Sequence, residues 1–245
     1  MLVALSSMLS TAMAAPHVAP LTPQTWTATV NQSAFGTMPI PPEVANVQFK
    51  HSYDYTNKRE KHLFLTGKHT GQNVVYRWDK KDPGEPWSRA FAWMPGKEAL
   101  CCYVNLCTSQ PCVMGNQDRM HKLEVNSKAT DLGPSGAHGE HWFADESIKI
   151  LHIGNLNDWI VDTSLNMAIT NWTSNASAPH LGWEKATNLY TDITLGNLTE
   201  ADFTYPKFCN QHMCQAELSD SLRNVDRQHR QAKMIHDAKS RMKMP

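Results

Sequence analysis

The chain has no surplus of charge of either sign: 23 basic and 23 acidic residues in 245. A protein that neutralises nucleic-acid phosphates usually carries a marked basic excess, so the balance argues against such a partner. After the first dozen or so residues no run approaches the roughly 18 apolar residues of a membrane-spanning helix. The sequence holds no Gly-x-Ser-x-Gly elbow, no P-loop and no dinucleotide fingerprint. No Ser, His and Asp grouping stands out either, so nothing in the sequence marks an enzyme. There is no Cys-x-x-Cys pair, the usual element of a zinc knuckle. A low-complexity linker and a repeat of fixed period are also lacking, and a single main domain is the simplest organisation.

What is present starts with the leader. "MLVALSSMLSTAMAAP" is apolar and ends with Ala12 and Ala14. Small residues at −3 and −1 are what a signal peptidase accepts, so residues 1–14 read as a signal peptide. The basic n-region is absent apart from the start amine. The reading predicts a secreted, extracellular protein. Six cysteines fit an oxidising compartment. Four glycosylation sequons, at Asn31, Asn171, Asn175 and Asn197, fit a secreted glycoprotein.

Residues 15–42 are rich in Pro, Thr and Ala and read as an extended lead-in with a strand at Thr25–Val30. The main domain spans 43–214. In "VQFKHSYDY" the residues Val47, Phe49, His51, Tyr53 and Tyr55 alternate with Gln48, Lys50, Ser52 and Asp54. A period of two marks a half-buried strand. "TNKRE" supplies a turn, "KHLFLTG" a second strand, and "NVVYRWD" repeats the pattern. The basic residues of this region are expected to face water or to lie in the turn. Further short strands and turns follow up to residue 214. After Cys214, residues 215–245 lack Gly and Pro until the final residue. Leu218, Leu222, Val225, Ala232 and Ile235 share one helical face, predicting a C-terminal helix.

The order of several stretches carries a resemblance. These are the Tyr-Asp-Tyr strand running into a basic turn, "NVVYRWD", "TDLGPSGAHGEHWFAD", "DWIVDTSLNMAI", and a tyrosine strand leading to Phe203-x-x-Pro206-x-x-Cys209. Together, over Val47 to Cys209, they resemble secreted ependymin-like proteins, a family related in fold to bacterial lipoprotein carriers. Two departures stand out: "NMAI" at 166–169 lacks the family's Gly and Pro, and the tail after Cys209 is long. The resemblance implies a mainly β fold. It would be a strongly curved antiparallel sheet, or two facing sheets, forming an incomplete barrel around an apolar cleft. It further implies a protein that is not an enzyme and binds hydrophobic or lipid-like ligands, with calcium as the one cofactor it suggests. The alternative it allows is a structural or adhesive matrix glycoprotein with matrix or homo-oligomer contacts and no small ligand.

Eight Trp and twelve Met offer material for such a cleft. Phe49, Tyr53, Tyr55, Trp78, Trp142 and Trp159 are the candidate lining residues, since their rings pack on alkyl chains. The competing reading is that the tryptophans fill an ordinary core. His138, Glu140 and His141 in "GAHGEHW" do not make a zinc-peptidase motif, because glycines disfavour the helix and the His spacing is three. No metal site is expected. Cys101, Cys102, Cys107, Cys112, Cys209 and Cys214 are expected in disulfides. Adjacent Cys101 and Cys102 point to opposite faces of a strand and each needs a distant partner. At least one bridge is expected from the 101–112 cluster to Cys209 or Cys214.

Overall fold

Alternation along each strand decides most of the architecture. The computed structural model describes residues 18–37, 45–80, 88–98, 101–105, 120, 122–147, 154–178 and 182–209. The eleven strands are β1 (Thr25–Gly36), β2 (Asn46–Asp54), β3 (Arg59–Phe64), β4 (Asn73–Arg77), β5 (Arg89–Trp93), β6 (Cys102–Asn105), β7 (Thr130–Ser135), β8 (Gly139–Asp145), β9 (Gly154–Asp162), β10 (Ala168–Ala178) and β11 (Gly182–Leu195). They form one sheet in the order β6-β5-β4-β3-β2-β1-β11-β10-β9-β8-β7. Two antiparallel meanders, β1–β6 and β7–β11, are joined where the first strand pairs the last. The sheet does not close, so the architecture is one open sheet and not two facing ones.

Both ends of the sheet are blunted against pairing with another chain. β6 is only four residues long. β7 carries a register shift between Asp131 and Gly133, with Gly133 at φ 96°. Pro134 follows, removing a backbone donor.

The sheet curls about one face, and one short segment touches strands far apart on it. The Leu123 amide donates to the Tyr53 hydroxyl on β2 at 2.8 Å, while Val125 packs with Trp159 on β9. On a flat sheet β2 and β9 lie four strand spacings apart, about 19 Å. Two residues of chain reach only about 7 Å. Residues 122–126, with the long side chains of Tyr53 and Trp159, bridge the two strands across this face.

The segment read as a lead-in supplies β1. It continues past Val30 to Gly36 and pairs with both β2 and β11. Thr, Asn and Ser on one side of it disguised a central strand as a polar approach. Between β9 and β10 a 3-10 turn (Thr163–Leu165) is capped by Asp162, whose Oδ1 accepts from the Ser164 amide at 2.7 Å. Asn166 and Met167 take left-handed φ values of 53° and 61°, doing what the absent Gly would have done. The helix predicted over 215–245 and the leader over 1–14 lie outside the described residues. Among the described residues no helix is long and apolar enough to cross a membrane.

The basic residues of β3 and β4 correct the sequence reading. Arg59 and Arg77 are buried on the outer face. Residues 198–209 lie over that face. Phe203, in a second 3-10 turn (Glu200–Phe203), packs with Val75, Phe91 and Trp93. The same segment is fastened by the disulfide Cys101–Cys209. Arg59 pairs with Asp54 at 2.8 Å and with Glu200 at 2.6 Å. Arg77 pairs with Asp79 at 2.6 Å and with Glu200 at 2.9 Å. Period-two alternation finds an outward face but not whether a later segment covers it, which is why these arginines looked solvated.

The Lys80 hydrogen bond pulls the Glu200 carboxyl down to about 2, with Arg77 adding to it and desolvation opposing. A depressed folded value gives stability that is complete above the unfolded carboxylate range, roughly 4.3, and is lost as pH falls toward the folded value. Glu200 is half exposed, so solvent screening keeps its contribution small. Glu200→Gln is expected to lower stability at neutral pH by about 0.5–1 kcal/mol. Urea unfolding at a series of pH values should show that deficit closing as pH drops from about 5 to about 2. A deficit unchanged across the series would mean that charge is not what Glu200 contributes.

Candidate functional site

The inner face of the sheet is built from cross-strand rows. Glu60, Tyr53 and Trp26 stand opposite one another on β3, β2 and β1. His62, His51 and Ala28 form the next row, and Phe64, Phe49, Val30 and Tyr190 the one after. Their rings touch: Trp26 stacks on Tyr53 at 5.2 Å and meets Tyr190 edge-on at 5.6 Å. Burying each large apolar side chain here contributes about 1.5–3 kcal/mol. Further along, Trp172, Trp159 and Trp142 stand opposite one another on β10, β9 and β8.

Two segments outside the sheet lie on this face. Thr22 donates its hydroxyl to the Leu123 carbonyl at 2.7 Å. Met120 and Leu123 pack into the cluster of β1–β6, and Val125 into that of β8 and β9. Between these segments and the sheet a shallow depression opens to solvent, with a free volume of about 10 Å³, the room of one water-sized guest. Thr22, Pro23 and Leu123 form its rim, and Trp26, Tyr190, Ala168, Ile169 and Ile193 its walls. Its lining is mainly apolar, with Thr22, Trp26 and Tyr190 as the residues whose side chains carry polar atoms. Burial, with the charge of Glu60 adding, pushes the Tyr190 hydroxyl up, so it stays neutral.

None of the six residues expected to line a cleft is among the residues lining this depression. Tyr53 lies one layer behind it, under Trp26. Phe49 is buried among the rings of β1–β3. Tyr55 and Trp78 are half-buried and stack on Tyr53 and Tyr76. Trp142 and Trp159 are buried in the separate cluster under Val125. All belong to the same inner surface, but the opening is made by Trp26 and Tyr190. Those two are brought close by the pairing of the first strand with the last, which local alternation does not reveal.

The same face holds a charged group. His51, Glu60 and His62 are all buried, and one ligand atom of each lies within 4.8 Å of the others. The Nε2 atoms of His51 and His62 lie 2.8 and 2.6 Å from the same Glu60 oxygen. Burial pushes the Glu60 carboxyl up, but the two imidazoles outweigh this and hold it well below the usual carboxylate range. The sequence signal was Glu60-x-His62 at strand spacing beside an inward His51, readable only once the register is known. By contrast, His141 is half-buried and reaches Asp158 at 2.9 Å.

Cys101 is part of the outer cluster and Cys102 of the inner one, as their adjacency implied. Cys101 makes the expected bridge to Cys209, and Cys102 is also disulfide-bonded. Cys107, Cys112 and Cys214 lie outside the described residues. Of the sequon asparagines, Asn31, Asn175 and Asn197 are exposed, whereas Asn171 is half-buried.

The chain matches no protein-family model, and no curated protein matches it in sequence. Among solved structures it is similar to a LolA superfamily protein from Nitrosomonas europaea, with 10% identity and a TM-score of 0.38 over 77% of this chain and 94% of that one. It is also similar to an uncharacterized conserved protein from Thermus thermophilus, with 10% identity and a TM-score of 0.43 over 77% of this chain and 89% of that one.

Tyr53 ties residues 122–126 to the sheet through one hydroxyl. Tyr53→Phe keeps the ring and leaves the Leu123 amide without that acceptor. It is expected to cost about 1–3 kcal/mol and to speed hydrogen exchange over 122–126 more than over β1 and β11. Equal acceleration everywhere would show that Tyr53 serves the core as a whole and not this attachment.

Proposed function

We propose that the protein is a secreted, non-enzymatic glycoprotein that binds a hydrophobic or amphipathic, lipid-like molecule on the inner face of its curled sheet. The depression walled by Trp26, Ile169, Tyr190 and Ile193 carries this reading. Its lining is mostly apolar, as in small-molecule sites, and a chain-like guest enters by displacing the inner cover rather than by filling existing space. An alkyl chain buried there gains about 0.8 kcal/mol per methylene. The rim at Leu123 is held by hydrogen bonds to Thr22 and Tyr53, so displacing it would lengthen the site along the face. The ependymin-like order of motifs supports the same role and an extracellular setting. The disulfides and the exposed sequons at Asn31, Asn175 and Asn197 are compatible with export.

A second reading, a structural or adhesive glycoprotein, is favoured by one observation. Met120, Leu123 and Val125 already fill much of the inner face with the chain's own side chains.

The two readings separate on titration with a fatty acid or lysolipid. Tryptophan emission is expected to change in intensity and position as the guest packs against the buried Trp26. Ile193→Phe, which fills the depression with apolar volume, is expected to weaken the apparent affinity at least tenfold with little change in thermal midpoint. An unchanged affinity in that variant, or no response to any member of a lipid panel, would overturn lipid binding at this site and favour the structural reading.

A further inference from the structure

The His51, Glu60 and His62 group is out of place in a core whose neighbours are Trp26, Phe49, Phe64 and Tyr76. Glu60 and His62 lie two apart on β3, so both face inward, and His51 stands directly opposite His62 on β2. The imidazole centroids are 4.6 Å apart and edge-on. A carboxylate taken out of water costs several kcal/mol unless an opposite charge joins it. The ion pairs of Glu60 go to His51 and His62. No Lys or Arg reaches it among the described residues, although Arg59 is its chain neighbour, because Arg59 points to the other face and pairs with Asp54 and Glu200. Neutral imidazoles would leave the group with one uncompensated negative charge in an apolar surround. Apolar residues at these three positions would pack the face without that cost. The group therefore calls for a cation.

We propose that His51, Glu60 and His62 form a binding site for a divalent transition-metal ion of the zinc class on the inner face of the sheet. Two imidazole nitrogens and one carboxylate oxygen suit zinc, copper or nickel and do not suit calcium or magnesium, which take oxygen ligands. Three protein ligands leave a fourth position for water or another small ligand. Donors around a tetrahedral zinc stand roughly 3.3 Å apart. The nitrogens now approach the Glu60 oxygen to 2.8 and 2.6 Å, so each has to withdraw by little more than half an ångström. His62 can do so easily, since its buried Nδ1 has no hydrogen-bond partner to hold the ring in place. The strands themselves need not move, because pairing in the sheet already fixes all three backbones. Trp26 contacts the His51 ring at 4.9 Å and also walls the depression, so the site lies one side chain behind it. Metal binding stands on these residues whether or not a lipid binds in front.

The test uses the full secreted chain, stripped with a chelator and titrated with zinc and with cobalt. One equivalent is expected to bind, and cobalt should give the visible bands of a four- or five-coordinate nitrogen-oxygen site. His51→Gln and His62→Gln are each expected to weaken zinc at least tenfold, whereas His141→Gln, on β8, should leave it unchanged. X-ray absorption on zinc-loaded wild-type protein needs no folded variant and should show two imidazoles at about 2.0 Å. Failure to bind zinc at equimolar micromolar concentration would overturn the proposal and leave a proton as the counter-charge. So would affinity unaltered in both His variants, or an absorption spectrum without imidazole ligands.

Discussion

A single sheet has two faces, and no helical layer covers either among the described residues. Everything else in this protein follows from covering those faces with connecting segments. On the outer side residues 198–209 lie over β3–β5. They are fixed covalently by Cys101–Cys209 and electrostatically by Glu200 between Arg59 and Arg77. On the inner side residues 18–24, 120 and 122–126 lie over the aromatic rows, held by hydrogen bonds from Thr22 to Leu123, from Leu123 to Tyr53, from the Tyr55 amide to Gln24 and from Asn126 to Glu146. The depression lies under the inner cover, which puts any exchange of contents on that face.

The curl of the sheet serves the same end. It lets one short segment touch both β2 and β9 and brings Trp26 and Tyr190 edge to face. A flat sheet of this size would present a broad apolar surface to water and invite association. A closed barrel would leave no edge and no opening. The open curl leaves a shallow, mainly apolar depression that a guest would have to enlarge at the inner cover. In the interior behind it, Tyr53 joins the cover to the sheet, and the His51–Glu60–His62 group adds polarity that the packing alone does not require.

Local pattern made parts of this legible. The alternation of Val47, Phe49, His51 and Tyr53 identified β2 and its inward face, and the opposite orientations of Cys101 and Cys102 followed from one residue of offset. The covering of the outer face was not legible. Arg59 and Arg77 sit at outward positions of β3 and β4, and only the return of a segment more than a hundred residues later buries them. The walls of the depression were missed for a similar reason: Trp26 and Tyr190 meet through the pairing of β1 with β11. His51, Glu60 and His62 looked like an ordinary polar scatter along two strands. Register, which no short window contains, turns them into one group.

The central claim is that the inner face holds a guest that is not part of the chain. Native mass spectrometry of protein secreted from eukaryotic cells and purified without detergent or organic solvent tests it most directly. The account predicts a chain beginning at Ala15, carrying glycans and a further mass of lipid size that leaves on collisional activation. A spectrum containing only the glycosylated chain, from material that also takes up no added fatty acid, would contradict it.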